Sequence, residues 1–231
     1  MPSAAMDVVT GQCEHLVLHF HGPVCDMSAG LGADTVSRLR EWLAGHGGEL
    51  PDPDSGAVSP YDILRFVVAD YPRLAGQAEA ELTAHEVRAA ASARPARGLR
   101  NLLQTARVTI IGNICPAAVS AYLTRLYPRE REQVRLVVAR HGADPAILEP
   151  SPVPVLQAAQ LLEVPSAACA VVASTPADIR SARLAGARTI GYARDHATLR
   201  LLTAAGAEAV TFSITELAGS ARLARGRAGR K

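Results

Sequence analysis

Residues 169–192 read CAVVASTPADIRSARLAGARTIGY. A short apolar run, 169–173, precedes a helically patterned stretch, 176–185, and then a second run, 189–192. Gly186 supplies the stop signal at the helix end, because glycine tolerates the left-handed conformation found there. Strand, helix and strand in this order predict two parallel strands joined by a crossover helix.

The same alternation extends in both directions. On the C-terminal side it predicts a helix over 196–205 stopped by Gly206, a strand over 209–212 and a last helix from Ile214. On the N-terminal side it predicts a helix at 99–106, a strand at 108–111, a helix from Pro116 to Leu126, a strand at 134–139 and a helix at 153–162. Pro116 suits a first helical turn, where its missing N–H has no partner to lose. An earlier apolar run, Leu16-Val17-Leu18, reads as one more strand, ended by Gly22-Pro23. Between that strand and the rest, Val36, Leu39 and Leu43 fall at helical spacing. A loop over 50–60 and two more helical segments, 61–68 and 75–91, follow. The predicted architecture is a doubly wound parallel α/β sheet, formed by 1–25 and 94–231, with a helical insertion at 26–93. The residues before the first strand read as a short polar lead.

With 231 residues, 48% of them hydrophobic and a formal net charge of +2, the chain can bury a sizeable core. It shows no electrostatic footprint for nucleic acid or a membrane surface, which leaves a small molecule or a protein as the expected partner. No stretch approaches the ~20 apolar residues of a membrane span, and no secretory signal pattern is visible. Four cysteines, Cys13, Cys25, Cys115 and Cys169, are too few for a disulfide scaffold, so a reduced, cytoplasmic protein is expected. Lys231 is the only lysine; the other 23 of the 24 basic residues are arginines. The basic run 222–231 reads as a solvated tail.

In sheets of this kind ligands sit beyond the carboxyl ends of the strands. Four segments there resemble the motifs of the haloacid dehalogenase superfamily, in its subgroup with a helical cap after the first strand. LVLHFHGPVC (16–25) is similar to the first motif, an apolar strand followed by DxDG. VTIIGNICPAAVSAYL (108–123) resembles the second, a strand ending in Ser or Thr and commonly Asn. AILEPSPVPVLQAAQLL (146–162) resembles the third, KPxP opening a helix, and AVVASTPADIRSARLAGARTIGYA (170–193) the fourth, GDxxxD. The resemblance implies a Rossmann-like core, a cap at 26–93 and a phosphatase-type hydrolase ancestry.

The residues at the motif positions depart from that chemistry. His19 stands where the resemblance implies the nucleophilic aspartate, and His21 where it implies the general acid/base. Gly112, followed by Asn113, replaces the hydroxyl donor. Glu149 replaces the charge-neutralising lysine, and Ser174 the first acidic magnesium ligand; only Asp178 keeps its acidic type. Phosphoryl transfer depends on positioning and on neutralising charge over three oxygens. Magnesium prefers carboxylate oxygens. No magnesium or other cofactor is therefore expected, and a protein on the hydrolase fold without phosphatase machinery, acting in binding or regulation, is the first expectation.

Three readings of His19 and His21 stand open. Two apart on a strand, their imidazoles share one side and form a His-x-His pair for zinc or another transition metal, completed by Asp178, Glu149 or Cys25. Alternatively one imidazole is a general base in a repurposed enzyme acting on a non-phosphate substrate. In the third, both are polar residues tolerated in a cleft. Around them, Cys115 is a candidate ligand or a buried apolar residue. Asp178 is a candidate cap, or a partner for an arginine, and Arg140 a cleft residue paired with Glu149 or a surface residue. Trp42, Tyr61 and Tyr71 either line a pocket or pack the insertion.

Overall fold

The structure, a computed structural model, describes residues 4–50, 58–148 and 150–228, with side chains up to residue 221. Short apolar runs form six strands of one sheet: β1 (His15–His19), β4 (Val108–Gly112), β5 (Val134–Ala139), β6 (Cys169–Ala173), β7 (Arg188–Tyr192) and β8 (Ala209–Thr211). Every neighbouring pair is parallel, in the order β5-β4-β1-β6-β7-β8. β1 lies inside the sheet, Val17 paired to Thr109 on one side and Val171 on the other. Successive side chains point to opposite faces. Leu16 and Leu18 thus enter the core beneath α1 (Ala4–Gly11), α5 (Leu99–Thr105), α6 (Pro116–Leu126) and α10 (Ile214–Ala228), while Val17 enters the one beneath α7 (Val153–Leu162) and α8 (Pro176–Leu184). α9 (His196–Ala204) covers the β7–β8 edge through Leu202. With both faces covered, the strands read as continuous apolar runs.

Between β1 and β4 the chain forms α2 (Ala33–Gly45), α3 (Pro60–Asp70) and α4 (Ala75–Ser92). These helices share a core of their own around Leu43, Leu64 and Leu82. α4 spans both regions, since Ala78 and Leu82 join that core while Ala89 and Ala90 join the sheet's. α3 begins with a capping box in which Ser59 and Asp62 satisfy each other's backbone N–H groups. The outward and return passages of the chain are the short strands β2 (Cys25–Asp26) and β3 (Arg94–Pro95), paired antiparallel. No helix among the described residues is long and apolar enough to cross a membrane.

Two corrections to the sequence reading concern ends and edges. The expected polar lead is helix α1, whose Met6 and Val9, three apart, bury against the sheet and α10. Met6 and Val9 are its only buried apolar residues, and one such pair is too little to reveal helical periodicity. β2 and β3 were not anticipated, because two-residue strands carry no alternation. The expected loop at 50–60 lies largely outside the described residues, and the side chains of the tail 222–231 lie outside them entirely.

Candidate functional site

A cleft of about 430 Å³ opens beyond the carboxyl ends of β1 and β4, beside the start of α8. His19, the last residue of β1, and Asp178, in the first turn of α8, lie in it. The helix N-terminus carries partial positive charge and favours a carboxylate there. His19 Nδ1 is 3.9 Å from Asp178 Oδ2, and both side chains are 6% exposed. That separation is too long for a direct hydrogen bond, and it sets the imidazole and the carboxylate facing each other in the cleft. Thr175 caps α8, its Oγ1 accepting from the Asp178 N–H at 3.1 Å. The walls are largely apolar: Phe20, Met27, Leu31, Tyr61 and Ile114.

His21 lies beyond the strand, in an isolated bridge with Cys25, yet it also lines the cleft. Its Nδ1 accepts from the Met27 N–H at 3.2 Å, which puts the ring proton of the neutral imidazole on Nε2. Gly112 and Asn113 line the cleft as expected. Gly112 has φ +155°, a conformation that side-chain-bearing residues rarely adopt.

Ser174, expected in the cleft, instead lines a neighbouring depression, and its Oγ donates to the His21 carbonyl at 3.3 Å. The cause is a close approach of the turn after β1. Gly22 has φ +95°, and a Cβ there would meet Ser174 Oγ at 2.1 Å. Gly22→Ala is therefore expected to cost roughly 1–3 kcal/mol, from strain and from displacing Ser174. Thermal and urea denaturation check this, and a wild-type midpoint would refute it.

The sequence reading paired Arg140 with Glu149 or placed it at the surface. Glu149 is outside the described residues, and Arg140 is fully buried with its donors otherwise engaged. Nη1 donates to Glu79 Oε1 and Nη2 to Glu86 Oε2, each at 2.7 Å, while Nε donates to the Asn113 carbonyl at 2.9 Å. Glu86 is fully buried too and also accepts from the Cys115 N–H at 2.9 Å. Burial pushes the Glu86 carboxyl above its ordinary range, with Arg140 opposing the rise. Tyr61, on the cleft wall, also opposes the rise. Neither Glu79 nor Glu86 was anticipated. The available signal was their spacing with Leu82, which puts two carboxylates on the apolar face of α4.

The other candidates sort by burial. Cys25 donates its thiol to the Phe20 carbonyl within the apolar core, and burial pushes its pKa up. It is not a cleft ligand. Cys115 is buried at the start of α6, its thiol pushed up to about 11 by burial first and then by Glu86. Trp42 stacks on His46, and Tyr71 packs on Phe66 while its hydroxyl accepts from the Glu49 N–H, so neither lines the cleft.

Among the described residues no three His, Cys, Asp or Glu side chains converge as a metal site, so His19, His21, Asp178 and Cys25 do not form the zinc-type set considered from sequence. Magnesium fits the donors no better. It needs several oxygen ligands, and the one carboxylate among the described cleft-lining residues, Asp178, faces an imidazole.

No family model matches the chain, and no curated protein matches it. Solved structures do. CbbY from Rhodobacter sphaeroides, in complex with phosphate, superposes with a TM-score of 0.65 at 18% identity, over 89% of this chain and 96% of that one. A conserved haloacid dehalogenase-like protein of unknown function from Agrobacterium tumefaciens gives 0.57 at 19%, over 94% and 99%. A haloacid dehalogenase-like family hydrolase from Streptococcus pneumoniae gives 0.61 at 12%, over 90% and 98%. Together with the six-stranded parallel sheet and its helical insertion after the first strand, these likenesses show that the chain has the haloacid dehalogenase-like fold.

Proposed function

We propose that this protein has lost aspartyl-phosphate chemistry and uses the cleft to bind a small molecule, as a binding or regulatory module. Residues 26–93 serve as a helical cap over a core formed by 1–25 and 94–231. The observation that carries the reading is the end of β1. The side chain delivered to the cleft there is an imidazole, and the neighbouring carboxylate, Asp178, faces that imidazole. CbbY was solved with phosphate; in this chain a glycine and histidines occupy motif positions that would have to stabilise such a group. The apolar walls favour a ligand with a substantial apolar surface.

One observation favours a second reading, a repurposed enzyme. His19 faces the Asp178 carboxylate at 3.9 Å, a base and an orienter whose hydrogen bond would close on substrate binding, and the cleft can offer the base a substrate proton. Native mass spectrometry of the purified protein distinguishes the two. The first reading predicts a bound small molecule that is recovered chemically unchanged after incubation. The second predicts conversion of that molecule, lost in both His19→Ala and Asp178→Asn. A protein that retains no small molecule from cell extract would count against both.

A further inference from the structure

Beside the cleft, sharing His21 and Thr175 with its wall, lies a second depression of about 220 Å³. Three parts of the chain wall it. Asp26 comes from β2, Arg94 and Arg97 from the return passage at β3, and Ser174 with Arg194 from the loops after β6 and β7. All three arginines are exposed. Among the described residues, none of them is hydrogen-bonded to a carboxylate or within ion-pair distance of one. Arg65, Arg100, Arg140 and Arg188, by contrast, each have a carboxylate partner.

Asp26 is the acid that shares the depression. Hydrogen bonds from Ser28 hold its carboxyl below the usual range, so it is ionised near neutral pH. Three guanidiniums share the concavity with one lining carboxylate, Asp26, and Arg194 also interacts with the adjacent Asp195, which leaves the depression net positive. Guanidiniums that outnumber their counter-charges repel one another, and a bound anion removes that repulsion. Guanidinium forks match the oxygens of phosphate in geometry and bond to them bidentately. Thr175 adds a hydroxyl at the edge; its oxygen accepts from the Asp178 N–H, leaving its proton free to donate.

We propose that this depression binds a phosphate-type dianion, free or as the monoester of a small molecule, gripped by Arg94, Arg97 and Arg194. Three guanidinium forks match the several oxygens of a phosphate better than the two of a single carboxylate. The concave, compact arrangement does not form the basic stripe that tracks a nucleic-acid backbone. The position also has a mechanical consequence. Arg94 pairs with Asp26 in the β2–β3 ribbon that carries the chain to and from the helical insertion. An anion held between Arg94 and Arg194 ties that ribbon to the carboxyl end of the sheet. The depression shares His21 and Thr175 with the cleft wall, but none of the three arginines lines the cleft, so the proposal stands whichever molecule the cleft binds.

Isothermal titration calorimetry with inorganic phosphate, and separately with phenyl phosphate, tests the proposal on the full chain. The expected result is saturable binding that weakens as sodium chloride is added. Arg94→Ala and Arg194→Ala should each weaken it about tenfold, the triple arginine variant should abolish it, and His19→Ala should leave it intact. Tighter binding of phenyl phosphate assigns the site to an ester, and equal or tighter binding of inorganic phosphate assigns it to the free ion. The proposal is overturned if neither compound binds or if the triple variant binds as well as wild type. Loss of binding in His19→Ala overturns it equally, by placing the anion in the cleft. So does selective binding of an acidic peptide in place of both phosphates. The substituted arginines are exposed, so loss of fold does not confound the outcome.

Discussion

Arg140→Met is expected to lower the free energy of unfolding by roughly 3–5 kcal/mol, the range for removing one partner of a buried ion pair. Globular proteins have a total of only about 5–15 kcal/mol, so the variant should be close to unfolding at moderate temperature. Arg140 and Glu86 are fully buried and Glu79 is 20% exposed. Removing the guanidinium leaves two carboxylates facing each other without a cation, and the Asn113 carbonyl without its donor. Replacing Glu86 by leucine and Glu79 by glutamine in the Arg140→Met background removes the stranded charges. It should recover much of the loss, because desolvation offsets most of the Coulombic gain of a buried pair.

The pH dependence has a definite sign. The native Glu86 carboxyl is raised above its unfolded value, chiefly by burial. Its contribution to stability is therefore fully present below the unfolded value and lost as pH rises through the native one. Without Arg140, which pulls the native value down, the loss should extend to higher pH and become larger. Urea denaturation of wild type and Arg140→Met across the acidic-to-neutral range reads both effects. A midpoint change under about 1 kcal/mol, or a variant that gains stability with rising pH, would show that this cluster does not behave as a buried ion network.

How much of this was legible in the sequence depended on period and length. The bounds of α6, β5, α7 and β6 agree with those read from the sequence, since each is a run of apolar residues bracketed by proline, glycine or charge. His19, Gly112 and Asp178 line one cleft because the topology gathers the strand ends there. Ser174 was misplaced because its direction is set by a tertiary contact, the turn at Gly22, and not by its position after a strand. The Arg140–Glu79–Glu86 network was missed because its partners are 61 and 54 residues apart. Local periodicity says nothing about which charges meet across an insertion. The arginine-lined depression was illegible for the same reason, since Arg94, Arg97 and Arg194 are gathered only by the fold.

The second large effect concerns catalysis. Transfer of a phosphoryl group through an aspartyl intermediate needs a carboxylate nucleophile, a hydroxyl donor, a cation and carboxylates for magnesium. The cleft offers an imidazole at the end of β1, a glycine at the end of β4 and a carboxylate 3.9 Å from that imidazole. Losing one transition-state donor typically costs about 10²–10³ in rate. If several are lost together, as proposed, turnover should lie some 10⁶-fold or more below an intact site, beneath detection in an ordinary assay. Restoring one residue, as in His19→Asp, should not bring activity back, because the hydroxyl and the cation remain missing.

The most direct measurement is steady-state hydrolysis of p-nitrophenyl phosphate and a panel of phosphorylated metabolites, with magnesium in excess. The account predicts no turnover above the buffer rate for wild type. Magnesium-dependent release of phosphate that disappears in His19→Ala would contradict it.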